Sequence, residues 1–349
     1  MKKIYYLIAA LILIVTAQRA AAQDGFSDLL KSSPGDAGKL ISAYGKPLFK
    51  GFGVGMNSGW TNTAKTKKLL HFELRITASA AFTPVADKTF DVTKIGLSSN
   101  IAPADPNQTT AQTIGGDKNI DGPTMNIKSN GQTVSTLRLP SGNLSVIPSP
   151  QVQLTVGLVQ NTDVTLRLIP KISLGSSGSV SMLGFGVKHD LMQYFAGKAA
   201  KVIPFDLSIM LAYSRLNLTA KLDVQPDNNT VHDPGDANKN NDFSNQHTDG
   251  HFSSFLAEAI ISKKLLFFTP FLAVGYNTAS TDLATIGNYP VTTGNNTYTV
   301  FTNPVSISEN SLSGFRADVG FQLNLGIRIY ASASLAQYKS VNAGIGFGF

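Results

Sequence analysis

The chain has 349 residues, room for one large domain or two ordinary ones. Only 15% of them are charged, below the roughly 25% of a soluble domain, and there are 31 glycines and no cysteine. This excludes a disordered chain, a disulfide scaffold, a thiolate metal site, a cysteine nucleophile and an anchor built on a lipidated cysteine.

Lys2 and Lys3 precede the apolar stretch Ile4 to Ala17, and Ala20-Ala21-Ala22 follows. This predicts a signal peptide over 1–22 and export, because 14 apolar residues fall short of the ~20 that span a bilayer as a helix. Losing Lys2, Lys3 and Arg19 takes the net charge from +7 to +4, so no nucleic-acid partner is expected. Residues 23–50 read as a short helical, plug-like segment. Ser33 is its N-cap, Pro34 its first residue, and Leu40, Ile41 and Tyr44 form an apolar stripe that Gly45 and Pro47 end.

From residue 51 onward the pattern has period two. Leu70 to Phe82 is the clearest segment: Leu70, Phe72, Leu74, Ile76, Ala78, Ala80 and Phe82 share one face, and His71, Glu73, Arg75, Thr77 and Ser79 the other. The alternation recurs around 151–158, 164–168, 183–187, 207–213, 255–261, 272–276 and 315–323. It ends on Val341, Ala343, Ile345, Phe347 and Phe349, an alternating strand with a terminal Phe that resembles the C-terminal assembly signal of proteins inserted by the bacterial outer-membrane assembly machinery, with Phe347 and Phe349 as its residues. No run after residue 22 is long enough for a transmembrane helix. The fold class is therefore all-β: a transmembrane antiparallel barrel over 51–349 with 10–14 strands, best guess 12, and long outer loops 83–149, 223–251 and 279–312. Ten strands are clear. Gly51 to Asn62 is an eleventh candidate unless it lies in the lumen, and Gln132 to Leu139 a further one. On the strand from Leu207 the apolar parity shifts after Tyr213, which predicts a β-bulge near Ser214–Arg215 or an exit from the membrane there.

The wet face collects His71, Glu73, Arg75, Arg167, Lys171, Asp206, Glu258, Arg316, Asp318 and Arg328, as a solute filter or as lumen filling. Asp236, Asn238, Asn240 and Asp242 space oxygen ligands like half a calcium loop, but Asn241 and His247 stand where Gly and Glu belong. The default there is a flexible loop, and no cofactor is expected. Phosphate-binding, paired-histidine and Gly-x-Ser-x-Gly motifs are absent.

The segment Asn57-Ser-Gly-Trp60-Thr-Asn-Thr-Ala64-Lys, with Leu69-Leu-His-Phe-Glu-Leu, Pro150-Gln-Val-Gln-Leu-Thr-Val-Gly-Leu, Gly186-Val-Lys-His189-Asp and Pro204-Phe-Asp-Leu-Ser, resembles an uncharacterised family of bacterial outer-membrane barrels. The resemblance covers nearly the whole mature chain and implies fold and location only. A broader likeness is to the long-chain fatty-acid transporter class, which has an N-terminal plug and long outer loops; its Asn-Pro-Ala signature is absent here. His251-Phe-Ser253 resembles the His-x-Ser pair of an outer-membrane lipid deacylase family. Three functions follow as expectations: passive movement of a small solute, hydrophobic or otherwise, across the outer membrane of a Gram-negative cell, a non-transporting adhesion or scaffold barrel whose outer loops bind a partner, and, third, an outer-leaflet lipid-modifying enzyme, a lipid hydrolase. The first two are not enzymes. The expected surroundings are outer-membrane lipid and lipopolysaccharide.

Overall fold

A computed structural model of the chain describes residues 26–195, 204–294 and 296–348, without the side chains of Ser176 and Phe195. The predicted signal peptide and Phe349 lie outside the described residues.

Ten antiparallel strands close into a barrel: β1 (Phe72–Phe82), β2 (Val146–Leu158), β3 (Thr162–Ser173), β4 (Gly178–Asp190), β5 (Asp206–Lys221), β6 (His247–Ser262), β7 (Phe268–Ile286), β8 (Ser306–Leu325), β9 (Ile327–Leu335) and β10 (Ser340–Gly348). Each strand pairs with its neighbour in sequence, and β1 closes against β10 from Glu73↔Gly348 to Ala81↔Ser340. Closure leaves no unpaired edge, which is the condition for strands to cross a bilayer. No helix among the described residues is long and apolar enough to cross.

The count is ten, not the favoured twelve, and both extra candidates belong elsewhere. Gln132–Arg138 pairs with Thr124–Ser129 in a small sheet outside the barrel. Gly51 to Asn57 is the end of a helix in the lumen, α1 (Pro34–Asn57), which runs past Gly45 and through Pro47. The helix continues there with both flanks of the turn held: Leu40, Ile41, Tyr44 and Phe49 pack into one core, and the Ile114 amide donates to Tyr44 O (2.9 Å).

The connections at one end are 83–145, 174–177, 222–246, 287–305 and 336–339; at the other they are 159–161, 191–205, 263–267 and Gly326. By the rule for such barrels the long-loop end is the outer one and the other is periplasmic. The loops are shorter than the sequence suggests because β6, β7 and β8 continue into them. The long loops carry small sheets, including Val231–His232 with Thr297–Thr302 and Asn288–Gly294.

The bulge expected near Ser214–Arg215 is absent: β5 pairs without a shift along its length with both β4 and β6. What changes is which face is apolar. Below Tyr213 the outward residues Leu211 and Ile209 are exposed to lipid. Above it Leu216, Leu218 and Leu222 point inward and pack with Phe252, Leu283 and the helix residues Leu40, Ile41, Tyr44 and Phe49. Leu29, Leu30 and the loop residues Val92, Ile101, Met125 and Leu137 complete this core. The principal apolar core thus lies at the outer end, between α1 and the loops.

Candidate functional site

The N-terminal segment threads the barrel from its outer end to its inner end. Ser33 begins α1, but its hydroxyl donates to Asp36 Oδ2 (2.8 Å) and makes no backbone cap. Asp36 accepts from the Ser98 amide (2.7 Å) and hydroxyl (2.6 Å), which ties the helix start to the loop after β1. Deeper in, α1 is squeezed between opposite walls. A Cβ on Gly51 would stand 2.6 Å from Ile147 of β2, and one on Gly53 2.6 Å from Ala279 of β7. Below the helix, Ala64 N donates to Ser262 Oγ (2.9 Å) and Lys67 N to Asp163 Oδ1 (2.8 Å), both at the periplasmic mouth.

A helix leaves its last carbonyls without intrahelical donors and carries partial negative charge there. α1 has no basic residue in its last turn. The barrel wall supplies the donors. Gln151 Nε2 donates to Gly55 O (2.6 Å), Arg167 to Met56 O (2.7 Å) and Ser58 O (3.0 Å), and Arg316 to Asn57 O (2.9 Å). Arg75 donates to Trp60 O and to Asn62 Oδ1 (2.8 Å). The Arg167 guanidinium also stacks 3.8 Å from the Trp60 ring centroid, a cation–π contact. Arg316 is held in a fork by both oxygens of Asp318 (2.8 and 2.6 Å). Arg167 of β3 and Arg316 of β8 therefore cap one helix end in mid-lumen, and Arg75 of β1 holds the chain just beyond it.

The predicted wet-face residues divide accordingly. Glu73, Arg75, Arg167, Glu258, Arg316 and Asp318 are buried in the lumen. Arg328, half-buried, reaches Glu73 at 3.3 Å, and Asp206 is half-buried at the inner end of β5. His71 and Lys171 are exposed and do not line the lumen. His71 precedes β1, beyond the end of the wall, and Lys171 lies inside the register shift between Ile169 and Ile172, which breaks its parity. Sequence reasoning missed Lys67, Asp163 and Lys188. Lys67 pairs with Glu73, and Lys188 with Asp163 at 3.1 Å. Lys188 was legible, since it opposes Leu183, Phe185 and Val187; Lys67 was not, because it comes from the plug.

The proposed calcium ligands are engaged otherwise. Asp236, Asn238, Asn240 and Asp242 each accept the amide two residues on, at 3.0, 3.1, 2.9 and 2.9 Å, a ladder of Asx turns. The Val300 amide, with help from His232 and the Asn238 amide, holds the Asp236 carboxyl down at about 2. No group of three metal-ligating acids or histidines occurs among the described residues. Phe347 points outward from β10 and is exposed, paired with Leu74. His251 and Ser253 also point outward; His251 Nδ1 meets Asn217 Oδ1 at 2.7 Å, and Tyr213 donates to Ser253 Oγ at 3.3 Å.

Closure of ten antiparallel strands, an apolar exterior and a lumen filled by the chain's own helix define a transmembrane β-barrel of the outer-membrane type. The chain belongs to a family of unknown function (DUF6588), whose model matches residues 1–349. No curated protein matches the sequence. Among solved structures it is similar to the attachment invasion locus protein Ail of Yersinia pestis, at 9% identity over 80% of this chain and 98% of that one, with a TM-score of 0.26. It is also similar to the translocator domain of the autotransporter NalP from Neisseria meningitidis (10%, 81% and 89%, TM-score 0.29). A third is the outer-membrane transporter YddB of Escherichia coli (8%, 80% and 41%, TM-score 0.29). Likenesses this distant add nothing to what the strand pairing itself defines.

Proposed function

We propose that the protein sits in the outer membrane, exported by residues 1–22, as a barrel closed at rest that lets a small solute pass when its lumenal segment shifts. The observation that carries this is the arginine cap. In mid-lumen the plug is held by hydrogen bonds to its last carbonyls, a hold that can be exchanged for water or a polar solute. Beside it Met210, Ala212, Leu256, Ile260, Phe271 and Ala273 form an apolar strip around Trp60, which suits a solute with an apolar part. The test is conductance in planar bilayers, comparing the mature chain with Arg167→Ala and Arg316→Ala, with heat-modifiable gel migration to verify folding. The mature chain should stay mostly silent and the variants should open. Folded variants that remain silent would sink the idea.

A second reading is favoured by the outer core. It joins the first half of α1 to the loops and the strand ends, so the outer end is a rigid platform for a partner at the cell surface. Silence of every variant, together with loss of cell-surface binding when 222–246 is shortened, is what that reading predicts.

A further inference from the structure

We infer that the lumen holds a site for an organic ammonium, a monocation carrying an apolar chain or ring, with Glu258 as its anionic partner. This rests on the solute-passing reading above and names the class of solute. Glu73, Asp163, Glu258 and Asp318 are carboxylates buried along the barrel wall. Three are matched: Glu73 by Lys67 and Arg328, Asp163 by Lys188, and Asp318 by Arg316. Glu258 is only 7% exposed, yet among the described residues no hydrogen bond and no ion pair reaches it. A buried carboxylate is costly unless it is paired. The charged groups that face it are Arg316, Asp318 and Lys188, and both cations are already held. Arg316 is forked onto Asp318 and donates to Asn57 O. Lys188 pairs with Asp163 and donates to Thr63 O (3.1 Å) and Lys65 O (2.9 Å). The hydroxyls of Ser208, Ser214 and Ser254 are sealed in by packed atoms, whereas the Glu258 oxygens border open space. A cation from outside the chain therefore has both a partner and room there.

The surroundings select the kind of cation. Strand register sets Met210 of β5 opposite Glu258 on one side and Gly275 of β7 opposite it on the other. A Cβ on Gly275 would stand 2.7 Å from Glu258 Cβ, so the Glu258 stem lies against bare backbone there. Leu256 and Ile260 are the next inward positions on β6, with Ala212 opposite the first and Ala273 opposite the second. These residues and Phe271 pack into one cluster with Trp60 and Ala64. One carboxylate set in an apolar wall suits a monocation with an apolar body. The ammonium donates charge-assisted hydrogen bonds to Glu258, and the chain or ring lies on the strip. A divalent metal ion needs several oxygen ligands, and the described residues hold no group of three acids or histidines. A carboxylate solute of the same size would face like charge.

Gly275 is opposite Arg316 in register on its other side, so Glu258 stands level with the arginine cap. The apolar strip runs from it toward Ser262, which holds Ala64 at the periplasmic mouth. The site therefore lies between the end of α1 and the periplasm, and its occupancy is read separately from the opening of the cap.

The experiment uses the full mature chain folded in detergent micelles. Trp60 is the chain's single tryptophan and part of the strip, so its emission reports on the site. The probes are hexylammonium chloride and, matched in length, neutral hexanol and anionic hexanoate. Titration calorimetry is read alongside the emission. Hexylammonium should bind saturably and more tightly than hexanol, and hexanoate should not bind. Glu258→Gln keeps the size and removes the charge. Once heat-modifiable migration verifies its fold, it should weaken hexylammonium by about tenfold or more and leave hexanol unchanged. If that variant does not fold, the contrast among the three probes on the natural chain decides. Equal affinity of the natural chain and folded Glu258→Gln for hexylammonium would overturn the proposal. So would equal affinity for hexylammonium and hexanoate, or no saturable binding by either method. Suppose Arg167→Ala and Arg316→Ala stay silent while hexylammonium binds through Glu258: the conductance reading then fails and the site stands. If they open and Glu258→Gln changes nothing, the pore stands and the site falls.

Discussion

Among the described residues, Arg167 is the largest side chain buried completely. A buried cation is costly unless paired and hydrogen-bonded, and no carboxylate forms a salt bridge with it among the described residues. Its charge is met instead by Met56 O, Ser58 O, Gln153 Oε1 (3.0 Å) and the Trp60 ring. The helix end and the arginine therefore answer each other: the carbonyls need donors, and the guanidinium needs a diffuse negative partner that a single carboxylate would replace only in part. Removing the arginine leaves buried acceptors without a donor, which costs about 1–3 kcal/mol each. Arg167→Met should lower the temperature at which the compact gel band converts to the unfolded one, and Arg167→Lys should recover only part, because an ammonium cannot serve two carbonyls in a fork. Equal heat stability of Arg167→Met and the natural chain would mean that the arginine does not hold the plug.

At the scale of the element, α1 shows where reading by pattern stops. Its second half contains Gly51, Gly53 and Gly55, poor helix formers, and the alternation Phe52, Val54, Met56, Ser58, Trp60 looks like a strand. The helix forms there because the wall approaches on two sides so closely that only a side chain of hydrogen fits, which no local preference encodes. Gly53→Val would drive its Cβ into Ala279, and overpacking of this kind costs about 1–3 kcal/mol. Refolding yield and heat stability should both fall. Gly35→Ala is the matched control: nothing lies within 4 Å of its added Cβ, so it should refold like the natural chain. If Gly53→Val refolds as well as Gly35→Ala, the helix is not pinned between β2 and β7. The barrel strands, by contrast, were legible because lipid and lumen impose opposite demands on alternate residues. Glu73, Arg75, Arg167 and Arg316 followed directly from that parity. Their task did not, since the carbonyls that the arginines meet, and Lys67, which Glu73 pairs with, belong to a segment with no sequence signal for its path.

On the scale of the whole molecule, one barrel has two solvents. A strand of 20 residues such as β8 extends roughly 65 Å; even tilted by about 40° it overshoots the ~25 Å apolar band of an outer membrane. Within the band the strands are oily outside and polar inside. Beyond it they invert, with Leu216, Phe252 and Leu283 turned inward onto α1. The parity shift at Tyr213 to Leu216 is the trace of that inversion in the sequence. One consequence concerns topology. Because α1 begins in the outer core and the chain reaches β1 only after passing Ala64 and Lys67 at the inner mouth, residues 26–33 stand on the outer side while β10 ends on the periplasmic side. The chain has no cysteine, so single cysteines can report this directly. Asp28, half of whose side chain is exposed, and Leu325, exposed beside the inner turn at Gly326, are suitable sites. In intact cells a membrane-impermeant maleimide should label Asp28→Cys and spare Leu325→Cys, and lysis should make the second reactive. The opposite pattern would place the long loops in the periplasm. Labelling of neither before lysis would mean that the N-terminal segment does not emerge between the outer loops.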